Sequence, residues 1–180
     1  MSKLWDDNEF PLAYLITIRT YGTWLHGDAR DSVDRHGKNI YGTKRIAGNL
    51  NLKEKMLGGR KESAFLFDKG QREFVEKTIK EVCSYKDYFL HAINARSNHV
   101  HMVVSAQNPP EKIINNFKTY VTRNLRQNNL IGLESRIWSR GGSRRYLWKQ
   151  RHVDLAIDYV LYCQDDVLFK IDDGEEIHTS

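Results

Sequence analysis

Tyr88-Phe89-Leu90-His91-Ala92-Ile93, then Asn94 to Asn98, then His99-Val100-His101-Met102-Val103-Val104-Ser105: this stretch decides the fold. Two runs rich in aromatic and β-branched residues flank a polar turn, so the segment reads as an antiparallel hairpin. Residues two apart on a strand share a face. Val100, Met102 and Val104 therefore take the buried side. His99 and His101 lean together into the space on the other, with Val103 and Ser105 beyond them. Two imidazoles on one rigid element can give a cation two nitrogen ligands, although most such pairs are ordinary polar positions on a half-exposed strand. His91, on the neighbouring strand, reads as a surface histidine.

Leu12 to Thr20, before the hairpin, is nearly continuous in apolar and β-branched residues and reads as a buried strand. Tyr21 to Ser63 holds seven of the 12 glycines and little periodicity, so it reads as a long glycine-rich loop. Gln71 to Asp87 has helical spacing, with Phe74, Val75, Ile79, Val82 and Cys83 on one side. After the hairpin, Asn108-Pro109-Pro110-Glu111 reads as a helix start, with Asn108 as N-cap and Glu111 as the capping-box acid. Ile113, Phe117, Val121 and Leu125 form that helix's apolar stripe. Tyr120, Asn124 and Gln127 line its edge. Leu130 to Gly142 is loop-like, Arg144 to His152 reads as a further strand, and Asp154 to Gln164 as a last helix with Leu155, Ile157, Val160 and Leu161. The order predicts an α+β domain over 1–164, an antiparallel sheet with helices packed on one face, followed by an acidic tail over 165–180.

The chain of 180 residues carries a formal charge of only +5, unevenly spread. From Lys112 to Arg151 ten basic residues face Glu134 alone, so that stretch is +9. From Asp165 to Ser180 six acids face Lys170, giving −5. The basic stretch surrounds Tyr120 and points to a polyanion partner, with Lys118, Arg123, Arg126, Arg140, Arg144, Arg145, Trp148 and Lys149 as the DNA-binding set. Trp24, Tyr41, Trp138, Tyr146 and Trp148 are interleaved with glycine and arginine, a composition suited to stacking unpaired bases or, equally, to closing a core. His26 and Asp28 flank Gly27 in the long loop and make a poor metal cage. The first residues lack a signal peptide's apolar region, no apolar run suits a membrane helix, and Cys83 and Cys163 read as reduced core residues. The expected location is the cytoplasm, on the nucleoid when bound to DNA.

Together these residues make a chemical argument. A phosphodiester repels nucleophiles by its charge, and a divalent cation on imidazoles and a carboxamide relieves that. A phenol, with a reference pKa of about 10, needs such help to attack. Its phosphotyrosine product keeps the energy of the cleaved linkage for transfer to another end. Tyr120 is the candidate nucleophile, with His99, His101 and Asn124 as the metal set and Gln127 the competing third ligand.

His99-Val100-His101 resembles the histidine-hydrophobe-histidine signature of the HUH single-strand nucleases. Asn116-Phe117-Lys118-Thr119-Tyr120-Val121-Thr122-Arg123 is similar to the nucleophile helix of the single-tyrosine transposases, the REP-associated branch in particular. The resemblance implies a ferredoxin-like sheet, a Mg²⁺ or Mn²⁺ ion, and attack by Tyr120 on hairpin-forming single-stranded DNA; the chain is expected to act as a monomer or homodimer. The products would be a 5′-phosphotyrosine and a free 3′-OH. Two other readings stay open: a non-catalytic ferredoxin-like nucleic-acid-binding module, and a zinc-dependent hydrolase with no covalent step.

Overall fold

Strand β1 (Ala13–Arg19) is buried on both faces for nearly its whole length, and the rest of the fold is arranged around it. The computed structural model describes residues 10–23, 32–33, 45–46 and 63–162. Trp24, His26, Asp28, Tyr41, Cys163 and the acidic tail lie outside them. After β1 come β2 (Ser32–Val33), β3 (Arg45–Ile46), α1 (Lys69–Tyr85), β4 (Phe89–Ala95), β5 (His99–Ser105), α2 (Pro110–Gln127), β6 (Ser143–Leu147) and α3 (Gln150–Tyr162). The main sheet runs β4-β5-β1-β6, with every neighbouring pair antiparallel. β1-α1-β4-β5-α2-β6 in that strand order is the ferredoxin-like arrangement. The stretch read as a long glycine-rich loop contains a small ladder, Ser32 opposite Ile46 and Val33 opposite Arg45.

The two faces of the sheet build two cores. Tyr14, Ile16, Ile18, Val100, Met102 and Val104 face one way and pack with Val75 and Ile79 of α1 and Ile113, Phe117, Val121 and Leu125 of α2. Ala13, Leu15, Ala92, Val103 and Leu147 face the other way and pack with Val153, Ala156 and Val160 of α3. The expectation of helices on one face therefore holds for α1 and α2, while α3 covers the opposite face. Apolar residues on that second face need cover from water, at about 25 cal/mol per Å², and α3 supplies it with Ala156 fully buried at the contact.

Local sequence explains most boundaries. Asp68 caps α1 by accepting from the Gln71 amide at 2.8 Å, while the Gln71 side chain accepts from the Asp68 amide at 3.0 Å. At α2 the expected capping box does not form. Pro109 is the N-cap and makes no side-chain cap bond, and Glu111 pairs instead with Arg144 at 2.7 Å. Entry to β6 is made by glycine. A Cβ on Gly142 would stand 3.1 Å from Ile114 Cδ1 and 3.2 Å from the Thr17 carbonyl oxygen. β6 then ends at Leu147, and Gln150 to His152, expected as strand, open α3.

Candidate active site

β1, β4 and β5 set a row of polar side chains across the middle of the second face. Thr17 and Asn94 are the two cross-strand neighbours of His101, and Arg19 stands opposite His99. The imidazoles meet edge to face with centroids 4.4 Å apart. Each has its Nδ1 engaged by an oxygen: Asn98 Oδ1 at 2.6 Å from His99, and Thr17 Oγ1 at 2.7 Å from His101. A carboxamide oxygen only accepts, so His99 donates from Nδ1 and keeps the Nε2 lone pair; Thr17 fixes the same tautomer at His101 when its hydroxyl accepts. Burial pushes the His101 pKa down to about 3, with smaller contributions from His99, Arg19 and Arg96. His101 is therefore neutral at ordinary pH, the form that binds metal.

α3 closes over this row. Val153, Ala156 and Val160 lie on the sheet, and Tyr159, on the adjoining flank of the helix, brings its ring to 5.4 Å from that of His101. Asn94 Nδ2 donates to the Val160 carbonyl at 3.0 Å, tying helix to strand.

Tyr120 is elsewhere. It packs at the rim of the first core, with its ring 6.3 Å from that of Tyr85 and the Arg123 guanidinium 4.7 Å over it. Asn124 and Gln127 share that helix, and the sheet lies between all three and the histidines. The cause is strand alternation: the stripe of α2 packs on Val100 and Met102, so anything α2 carries belongs to the face that His99 and His101 do not use. The structure thus does not bring the expected nucleophile and third ligand to the histidine pair, and it brings Tyr159 there instead. Among the described residues no group of three or more His, Cys, Asp or Glu could hold a metal.

The DNA-binding set divides in the same way. Lys118, Arg123 and Arg126 line an open groove of about 500 Å³ on the outer side of α2, with Thr119, Thr122, Gln127 and Trp138. Lys118 also holds the following loop, donating to the Ser139 carbonyl at 2.6 Å and to that of Gly141. Trp138 donates to Thr122 Oγ1 at 3.1 Å and packs edge-on against Phe67, so it both lines the groove and closes the core. On β6, Arg144 lies on the α2 side, while Arg145, opposite Leu15, lies on the histidine side. Trp148 is exposed and stacks on Tyr146 at 6.4 Å; Arg140 and Lys149 are exposed.

His91 Nε2 lies 2.7 Å from Ser105 Oγ, at the far end of the second face, where Asp154 is close enough to act on it. The residue types suggest a nucleophilic triad, but the Ser105 hydroxyl donates to the Leu12 carbonyl, so its proton is not presented to the imidazole. The group pins β4 to β5.

Comparison with known proteins adds the family. The sequence model described as "Transposase IS200 like" matches residues 51–157, which include both histidines and end just before Tyr159. A solved REP-associated tyrosine transposase bound to a REP hairpin is 12% identical with a TM-score of 0.48, over 89% of this chain and 70% of that one. A Deinococcus radiodurans protein described as a candidate transposase is 11% identical with a TM-score of 0.42, over 86% and 92%. No curated protein gives a significant match.

Proposed function

The chain belongs to the IS200-like transposase family, and from that premise we propose that it is a metal-dependent single-stranded DNA endonuclease and strand transferase in which Tyr159, not Tyr120, is the nucleophile. One observation carries the reading: Tyr159 is on the helix that covers the histidine face, 5.4 Å ring to ring from His101, while Tyr120 is on the other side of the sheet.

The residues present fit a divalent ion. Both imidazoles have oxygen partners at Nδ1, the outer contact that fixes ring orientation in metal-ligating histidines. His99 Nε2 and His101 Nε2 would hold Mg²⁺ or Mn²⁺, which when bound supplies Lewis-acid polarisation of a phosphate oxygen. Imidazole alone favours softer ions such as Zn²⁺; phosphoryl transfer calls for an oxygen-preferring one.

In the chain's own chemistry, the Tyr159 oxygen loses its proton and forms a bond to phosphorus. The bond from phosphorus to the 3′ oxygen breaks, and that oxygen leaves as a 3′-OH. The 5′ side stays on Tyr159 as a phosphodiester until another 3′-OH reverses the step. Arg19 and Arg96, whose charges reach His101, place positive potential beside the scissile phosphate. The groove of Lys118, Arg123 and Arg126 takes a more distant backbone segment. Hairpin-forming single strands are the substrate that this combination of cations and exposed aromatics suits.

The test is a labelled single-stranded hairpin incubated with Mn²⁺ and run under denaturing conditions. Wild type and Tyr120→Phe give a covalent protein–DNA adduct and Tyr159→Phe gives none. An adduct that survives Tyr159→Phe and disappears in Tyr120→Phe sinks the assignment; cleavage by both variants with no adduct favours a metal-activated water.

A further inference from the structure

We propose that Asn94 is a positioning residue for the nucleophile: its carboxamide holds α3 at the height above the sheet from which Tyr159 reaches the histidine pair. The inference rests on the reading of Tyr159 given above and adds a component to it.

Asn94 is the β4 partner of His101 in the sheet register, and Thr17 is its β1 partner. The two have divided the work. Thr17 bonds the imidazole itself, at 2.7 Å, and fixes how the ring lies. Asn94 Nδ2 passes that ring by and donates to the main-chain carbonyl of Val160 at 3.0 Å. Val160 is the residue after Tyr159, so the anchored peptide unit is one Cα away from the phenol's own backbone. Apolar packing alone does not fix this spacing. The surface α3 lays on the sheet is Val153, Ala156 and Val160, with Ile157 and Tyr159 packed beside them, and apolar burial of this kind is non-directional. A hydrogen bond is directional and fixes both distance and roll. The bond is half-buried, where competing water is scarce. Replacing its donor leaves the apolar contact of α3 in place and removes a directional bond beside Tyr159.

A shift of about 1 Å in a reacting group can cost about a hundredfold in rate. Asn94→Ala is therefore expected to slow single-turnover formation of the covalent adduct by roughly ten- to a hundredfold. DNA affinity and the Mn²⁺ concentration for half-maximal rate should stay within about twofold, because neither the cations nor the imidazoles are touched. Asn94→Gln, which keeps an amide donor on a longer arm, should recover part of the rate. Val160→Ala is the control: it loosens the same stretch of α3 but keeps the carbonyl and its bond, so it should lose thermal stability with a smaller loss of rate.

The outcomes separate. If Asn94→Ala and Val160→Ala lose rate in proportion to their loss of Tm, Asn94 is only a structural pin and the proposal is overturned. If Asn94→Ala keeps its maximal rate but needs much more Mn²⁺, Asn94 is a ligand and the proposal is again overturned. If wild type forms an adduct that Tyr159→Phe abolishes while Asn94→Ala is unaffected, the reading of Tyr159 stands and this inference alone fails. If wild type forms no adduct, both fail together.

Discussion

A histidine becomes a ligand through what its other nitrogen does. At His101 that other contact is the hydroxyl of Thr17, which is 7% exposed, and at His99 it is the side chain of its own neighbour, Asn98. Thr17→Val keeps the shape and removes the oxygen. It should weaken Mn²⁺ binding by about ten- to a hundredfold, the usual loss when an outer contact to a ligand is removed, with the fold intact. Titration calorimetry against Mn²⁺ measures this; affinity equal to wild type would mean that Thr17 is not orienting the ring. His99→Ala and His101→Ala should bind no metal at practical concentrations. Burial that pushes the His101 pKa down to about 3 also keeps a proton from competing for the site at neutral pH. Neither Thr17 nor Asn94 attracts notice in the sequence, because a threonine in an apolar strand and an asparagine at a turn are ordinary there. Only the sheet register sets them on either side of His101.

Elements carry the division of labour. α2 presents cations outward, and its stripe goes to the core away from the histidines. Replacing Arg123 and Arg126 with Ala should weaken binding of single-stranded DNA. The log–log salt dependence should lose about 0.7 in slope per phosphate contact removed. Adduct formation at saturating DNA should be little changed, since the groove and the histidines lie on opposite sides of the sheet. A slope equal to wild type would exclude the groove from the bound path. β6 depends on the close passage of Gly142 between Ile114 and the Thr17 carbonyl. The side chain of Ile114 can give a few tenths of an ångström; the strand carbonyl cannot. Gly142→Ala should cost roughly 1 to 3 kcal/mol, the range for overpacking a tight site, readable by chemical denaturation.

At the scale of the whole molecule, one sheet separates two cores, and His91 lies at the far end of the second face, beside Ser105 and Asp154. Burial lowers its pKa from the usual 6.5, and Asp154 only partly offsets this. A histidine whose folded pKa is depressed binds protons more readily unfolded, so its contribution is present above about pH 6.5 and lost as pH falls through that value. Wild type should lose more stability between pH 7 and pH 5 than His91→Gln does, in paired denaturation curves. Equal losses would place the titration elsewhere. Much of this architecture was legible in the chain. The hairpin, the alternation that puts Val100, Met102 and Val104 opposite His99 and His101, and the α+β order all follow from periods of two and 3.6. The order predicts helices on one face only; Leu15 and Val103 on the histidine side leave apolar surface there, and α3 covers it. The edge of α2 that carries Tyr120 and Asn124 is expected to face the histidines; its stripe packs on the other face and takes Tyr120 with it. Periodicity along one segment, however, says which side of that segment is apolar and nothing about which sheet face will receive it. The sequence by itself determined the histidine pair and the elements that flank it. Tertiary structure alone decided that α3 takes the second face and that Tyr159 is the phenol standing beside His101, because that choice depends on where apolar surface remains uncovered once the first core has formed.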